Sequence, residues 1–84
     1  MSINDLVKKI QNAYEMVIRV AGRLFTICDE NEKGFSIAEW NKPETEKHFQ
    51  NAETLINGYV INEKPLFSYA GEIEIEDYTG FEGF

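Results

Sequence analysis

The sequence predicts one small α+β domain over residues 1–84: an N-terminal helix, an antiparallel sheet of three to four strands, and one or two short helices on one face of that sheet. Three patterns support this fold class. They are an apolar stripe at helical spacing near the N-terminus, a β-branched segment with an Ala-Gly break, and an Ile/Glu alternation near the C-terminus. With 43% hydrophobic residues, the chain can build one compact core.

The first helix is predicted over about residues 3–12. Ser2, with Asp5 three residues later, has the form of a capping box in which Asp replaces the usual Glu. The apolar stripe has the i, i+3, i+4, i+7 spacing of one helix face. It consists of Ile3, Leu6, Val7 and Ile10.

A β-hairpin is predicted over residues 14–30, which are rich in β-branched and aromatic side chains. If Ala21–Gly22 forms the loop, Ile18 faces Phe25 and Met16 faces Ile27 on one apolar side. Ala-Gly is not the favoured order for a two-residue loop, so a bulge and a shifted register remain open.

Residues 29–34, DENEKG, are predicted to form a polar turn, and residues 35–40 a third strand that ends at Asn41–Lys42–Pro43. Residues 44–50 fit either the start of a helix or a short strand that delivers Phe49 to the core. Asn51 is predicted to cap a short helix that stops at Gly58.

Beyond Gly58, VINEKP fits a loop or a short strand, and LFSYAG fits one helical turn. The last strand is predicted from Glu72 to Asp77 or Tyr78. Residues 79–84 form a possible flexible or docking tail, whose aromatics Phe81 and Phe84 either fold back on the sheet or dock on a partner. Folding back is the expected outcome because exposed aromatics are an apolar liability.

Charge is distributed unevenly along the chain. The formal net charge is −7, yet residues 1–28 hold four basic and two acidic side chains, whereas residues 29–84 hold four basic and thirteen acidic ones. Such a chain is a poor ligand for nucleic acid, because nucleic-acid binding pairs phosphates with cations. A protein with a basic nucleic-acid site is a better expected partner. The alternative is that the acids only keep the surface soluble.

The acids of the last strand lie two residues apart, so an extended backbone places them on one face. Alternation of this kind is also typical of any half-exposed antiparallel strand. The expected partner-binding residues are Glu72, Glu74, Glu76 and Asp77, followed by Asp29, Glu30 and Glu32 of the polar turn.

Catalytic and metal-binding signatures are not recognised in the sequence. Walker, GxGxxG, HExxH, CxxC and GxSxG motifs are missing, and a calcium loop starting at Asp29 would place Lys33 and Trp40 where the ion needs oxygen ligands. Cys28 and His48 could in principle form a dyad, but a buried structural cysteine and a surface histidine are the expected reading. We therefore expect no enzyme activity, no cofactor and no metal.

The opening MSINDLVKKIQN, together with VIRV at 17–20, resembles small acidic type II-A anti-CRISPR proteins of phages that infect Gram-positive bacteria. Those proteins also place a helix first, then a three-stranded antiparallel sheet, then helices. The resemblance implies a DNA-mimicking inhibitor that occupies the PAM-reading site of a CRISPR effector nuclease, where arginines read DNA. The acids of this chain are placed differently, so no binding residue is carried over from the family.

The leading hypothesis is therefore an acidic, phage-encoded inhibitor of a nucleic-acid-handling protein, acting in the host cytoplasm. The single cysteine excludes an intrachain disulfide, and the longest purely apolar run, residues 16–18, is far too short to cross a membrane. The alternative is a phage or bacterial assembly protein that acts as a homo-oligomer through Phe81, Phe84 and Trp40.

Overall fold

The computed structural model describes residues 1–80 and confirms the predicted α+β class, with an N-terminal helix packed on an antiparallel sheet. The main sheet has five strands, not three to four, because residues 44–49 belong to a strand. The helices are α1 Ile3–Gln11 and α2 Ala52–Gly58, with 3₁₀ helices at Asn31–Lys33 and Leu66–Glu72. The strands are β1 Ala13–Val20, β2 Arg23–Asp29, β3 Phe35–Glu39, β4 Lys42–Phe49, β5 Val60–Ile61, β6 Lys64–Pro65 and β7 Glu74–Gly80.

The main sheet has the order β4-β3-β2-β1-β7, and the paired strands are antiparallel. The first four strands form a meander, and the chain then crosses through α2 and the 3₁₀ helix Leu66–Glu72 before β7 pairs with β1. β4 and β7 are consequently the two edge strands. The small β5–β6 hairpin lies within this crossover.

The β1–β2 hairpin has the register predicted from its loop. Ile18 is paired with Phe25 and Met16 with Ile27, without a shift. Ala21 and Gly22 have φ values of 51° and 74°, and both signs are those that a two-residue type I′ turn requires. The twist of this turn suits the strands, although alanine adopts its conformation less readily than asparagine or glycine.

Both α-helices start at the predicted caps. The Ser2 hydroxyl accepts a hydrogen bond from the Asp5 backbone N–H at 3.1 Å. At α2, the Asn51 side chain accepts from the Thr54 N–H, and the Thr54 hydroxyl accepts from the Asn51 N–H, which completes a capping box. Gly58 is the last residue of α2, as predicted.

One face of the sheet carries the core. Alternate residues of β1, β2 and β3 pack against apolar side chains of α1, α2 and the 3₁₀ helix Leu66–Glu72, and these side chains form one hydrophobic cluster. Its largest fully buried members are Phe25, Leu6, Ile10, Met16, Ile18, Ile27, Ile37, Leu55 and Leu66. Removing these side chains from water is the main stabilising contribution to the fold.

The last strand begins at Glu74, not at Glu72 as predicted. Leu66 and Ala70 are buried and hold the segment in a 3₁₀ helix that includes Glu72. Of the predicted tail, residues 79 and 80 belong to β7 and pair with β1. Phe81, Glu82 and Phe84 lie outside the described residues. Within residues 1–80, no helix is long and apolar enough to span a membrane.

Candidate protein-binding face

The sheet face opposite the core is the candidate site, and we call it the open face. In the described part of the chain no helix packs over it, because α1, α2 and the 3₁₀ helix Leu66–Glu72 all join the core cluster on the other side. Its strand positions follow from the registers and alternate with the core residues. They are Glu15, Val17, Arg19, Leu24, Thr26, Cys28, Ser36, Ala38, His48, Glu74, Asp77 and Thr79, with Trp40 just after β3.

β7 supplies the acidic edge of the open face. Val17 is paired with Asp77 but Ile18 with Ile75, so Glu76 is the extra residue of a β-bulge. Such a bulge redirects side chains and increases the local twist. Here it brings Glu76 within 2.6 Å of the Arg19 Nε, while Glu74 lies directly opposite Arg19. Glu76 is thus ion-paired with Arg19, whereas the Asp77 carboxylate accepts a hydrogen bond from the Tyr78 N–H at 2.9 Å.

The other predicted residues are dispersed. Glu72 lies at the end of the 3₁₀ helix and outside β7. The Asp29 carboxylate accepts a hydrogen bond from the Asn31 N–H at 2.8 Å and so orders the turn. Glu32 is exposed in the turn that follows β2. The structure thus brings Glu74, Glu76 and Asp77 together, whereas Glu30 lies at the far side of the sheet.

Glu30 belongs to a second acidic group, which is centred on His48. The His48 Nδ1 lies 2.6 Å from a Glu30 carboxylate oxygen, and its Nε2 lies 3.2 Å from a Glu46 oxygen. Both contacts are satisfied only when both ring nitrogens carry protons. The hydrogen bond to Glu30 is the main cause that raises the pKa of His48, and Glu46 adds to the effect.

Cys28 pairs with Glu15, not with His48. Its thiol lies 3.8 Å from a Glu15 oxygen, and Ser36 of β3 stands between Cys28 and His48 in the sheet. Cys28 and His48 are therefore two strand spacings, or about 9–10 Å, apart. Burial, followed by the charge of Glu15, raises the pKa of the Cys28 thiol. A nucleophilic cysteine needs the opposite shift, because the thiolate is the reactive form.

The strand positions of the open face carry little positive charge. Arg19 is the one lysine or arginine at a strand position of this face within residues 1–80. Arg23 donates from its Nε and Nη2 to both oxygens of Glu39, and Lys42 approaches the same carboxylate at 3.5 Å. Glu39 is paired with the core residue Phe25, so the carboxylate that holds these two cations is at a core-side position of β3.

The open face therefore presents carboxylates at both edges and in between. Glu74, Glu76 and Asp77 lie on β7, Glu15 on β1 and Glu46 on β4. Four strand spacings between β7 and β4 give a width of roughly 19 Å. The acids enclose a less polar centre that includes Leu24 and Ala38, both half-buried, and Val17, which is buried. This arrangement can attract a basic protein surface of similar size and exclude water from a small contact.

Sequence reasoning missed Glu15 and Glu46. The predicted hairpin contained the signal for Glu15, because pairing Met16 with Ile27 on the core side leaves Glu15 beside Cys28 on the other. Nothing comparable was available for Glu46, since residues 44–50 are polar and carry no clear period. In residues 1–80, no group of three His, Cys, Asp or Glu side chains has the geometry to hold a metal ion.

Comparison with protein families, with curated proteins and with solved structures finds no match for this chain. Function is therefore inferred from the chemistry of the open face.

Proposed function

We propose that this chain is an acidic protein-binding inhibitor whose open face docks on the nucleic-acid site of a basic host protein. The observation that supports the proposal is the excess of carboxylates on the open face. Five carboxylates share this face with Arg19, whereas Arg23 and Lys42 are ion-paired with Glu39.

Nucleic-acid sites are suitable targets for physical reasons. A protein that binds DNA or RNA holds arginines and lysines where phosphates will lie, and carboxylates fixed on a rigid sheet can occupy the same positions. Charge complementarity accelerates the encounter and makes the complex sensitive to salt. The open face repels nucleic acid itself for the same reason.

The most specific version of the proposal is inhibition of a CRISPR effector nuclease in the host cytoplasm. It depends on the resemblance of residues 1–20 to type II-A anti-CRISPR proteins. The PAM-reading site of such an effector offers arginines in a positively charged channel. An acidic sheet face that occupies this site would prevent target DNA from being recognised.

The alternative, a homo-oligomeric assembly protein, has one supporting observation: half of the Trp40 surface is exposed on the open face. However, a symmetric contact between two open faces would oppose carboxylates to carboxylates, which is unfavourable. Light scattering separates the two functions. The inhibitor is expected to have the 9.7 kDa mass of one chain, whereas the assembly protein would have a multiple of it.

The test removes two charges from the open face and compares the variant with a matched control. Glu74→Gln with Asp77→Asn changes the acidic edge, and Glu53→Gln with Glu63→Gln removes the same charge from α2 and from the β5–β6 turn. Each protein is titrated into an RNA-loaded type II-A effector nuclease, and DNA cleavage is measured at several salt concentrations.

We expect the open-face variant to inhibit at least about tenfold more weakly, equivalent to roughly 1.4 kcal/mol of binding free energy, and to depend less on salt. The control should inhibit like the unchanged protein. Equal inhibition by both variants would refute the role of the open face. No inhibition by the unchanged protein would exclude this effector as the target.

A further inference from the structure

A shallow groove lies at one corner of the open face, where β3 turns into β4. Its lining includes Thr26, Ala38, Trp40, Pro43 and Glu46, together with the ion-paired Glu39 and Lys42. Its volume is about 260 Å³, which is less than typical small-molecule sites offer. The groove therefore has room for one long side chain of a partner.

Trp40 is anchored through its backbone to the strand next to it. Its backbone N–H donates to the Leu24 carbonyl at 2.9 Å, and Asn41, with φ of 62°, completes the turn into β4. The Trp40 side chain is 50% exposed although it follows a half-buried strand. An aromatic ring that is fixed at its backbone but open to solvent can receive a flat side chain at a small cost in conformational entropy.

Charge determines which side chain fits. Lys42 also lines the groove, and its Nζ lies 3.5 Å from a carboxylate oxygen of Glu39, which Arg23 also contacts. Among residues 1–80, Glu46 forms its ion pair with the His48 Nε2, at 3.2 Å, and with no lysine or arginine. An aromatic face beside a carboxylate favours a planar cation, because guanidinium stacks on tryptophan and also pairs with carboxylate in a bidentate way.

We propose that this groove receives an arginine side chain of the basic protein, stacked on Trp40 and paired with Glu46. The inference depends on the proposed function, since it assigns to the open face a preference for arginine over lysine. Arginine is also the residue that most often reads DNA bases through bidentate hydrogen bonds. The groove would thus select a partner by the residue type that its nucleic-acid site requires.

The test uses tetra-arginine and tetra-lysine peptides, which carry equal charge, titrated into the full chain by calorimetry. Trp40 is the one tryptophan of the chain, so its fluorescence reports occupancy of the groove directly. We expect tetra-arginine to bind about two- to fivefold more tightly than tetra-lysine and to change the fluorescence. Trp40→Leu should abolish the preference but keep salt-dependent binding of both peptides.

Trp40→Phe should keep part of the preference, and Glu46→Gln should reduce it at a pH where His48 is neutral. Phe67→Leu, which changes another exposed aromatic on the helical layer, should leave it unchanged. Equal affinity for the two peptides, or a preference that survives in Trp40→Leu, would overturn the groove while leaving the acidic face intact. If neither peptide binds the unchanged protein, the proposed function fails together with the groove.

Discussion

The β1–β2 turn offers a sharp test of the fold because its sequence and its conformation disagree. Ala21 adopts φ of 51°, a left-handed conformation that an L-residue other than glycine, asparagine or aspartate seldom adopts. The penalty for such a residue is roughly 1–2 kcal/mol. Asparagine tolerates the conformation because its side chain forms local hydrogen bonds. Ala21→Asn should therefore stabilise the protein by about 0.5–1 kcal/mol.

Urea and thermal denaturation, followed by circular dichroism, measure this change. For a domain of this size, 0.5–1 kcal/mol raises the thermal midpoint by about 2–8 °C. The urea m-value should stay constant, since the same surface is exposed on unfolding. Ala21 is exposed, so the substitution disturbs no packing.

Ala21→Val is the matched control, because a β-branched residue is disfavoured more strongly at positive φ. It should destabilise the protein while Ala21→Asn stabilises it. If asparagine is neutral or destabilising, or if valine is tolerated without loss, the turn is not of type I′. The pairing of Ile18 with Phe25 would then need another register.

Three further predictions concern other parts of the fold. The pKa of His48 lies above its ordinary value because of its contacts with Glu30 and Glu46. These contacts therefore stabilise the protein fully below about pH 6.5, and this stabilisation is lost as pH rises through the folded-state pKa. NMR titration of the imidazole should show the raised pKa. His48→Gln should make the free energy of unfolding depend less on pH between about pH 6.5 and the folded-state pKa. An ordinary His48 pKa would contradict the contacts with Glu30 and Glu46. Gly34→Ala should lower the free energy of unfolding, measured with urea, by more than about 2 kcal/mol. The reason is that φ is 91° and a Cβ would lie 2.1 Å from the Phe49 carbonyl oxygen. An unchanged urea midpoint would show that the Gly34 and Phe49 backbones are not this close. Asn51→Ala should reduce stability by about 1 kcal/mol through loss of the capping box, and Asn51→Ser should retain most of it.

The His48 contacts also link pH to binding. When the imidazole loses its proton, at most one of its two nitrogens can still donate, so the positive charge between Glu30 and Glu46 disappears. The open face then becomes more negative. We therefore expect its affinity for a basic partner to increase as pH rises through the His48 pKa, by an amount that His48→Gln removes.

The elements that were predicted correctly are those whose own residues show a clear periodic pattern. The helical spacing of Leu6 and Ile10 and the β-branched hairpin around Ala21–Gly22 were sufficient for α1, β1 and β2. β4 remained ambiguous because it is an edge strand that contributes Phe49 to the core but otherwise carries mostly polar side chains. A strand of this kind is defined by its pairing with β3, which is not encoded in its own period.

The candidate site was only partly predictable, for a similar reason. Alternation of Ile and Glu predicted a strand from Glu72, but burial of Leu66 and Ala70 keeps Glu72 in the preceding 3₁₀ helix. The bulge at Glu76 depends on how β7 pairs with β1, and so does the contact with Arg19. Tertiary pairing thus determines which acids share a surface, whereas the sequence predicts the alternation of the last strand and the acidic balance of residues 29–84.

The most direct test of the central claim compares two immobilised baits in lysate of a bacterium that carries a type II-A CRISPR system. One bait is the unchanged protein and the other carries Glu74→Gln and Asp77→Asn. Bound proteins are released either with rising salt or, in a parallel sample, with duplex DNA. The released proteins are identified by mass spectrometry. We predict that the unchanged bait retains a basic nucleic-acid-binding protein in stoichiometric amount. This protein should elute at moderate salt, be displaced by DNA and be largely missing from the variant. Equal retention by both baits, or recovery of no protein of that class, would contradict the claim that the open face is an acidic binding surface.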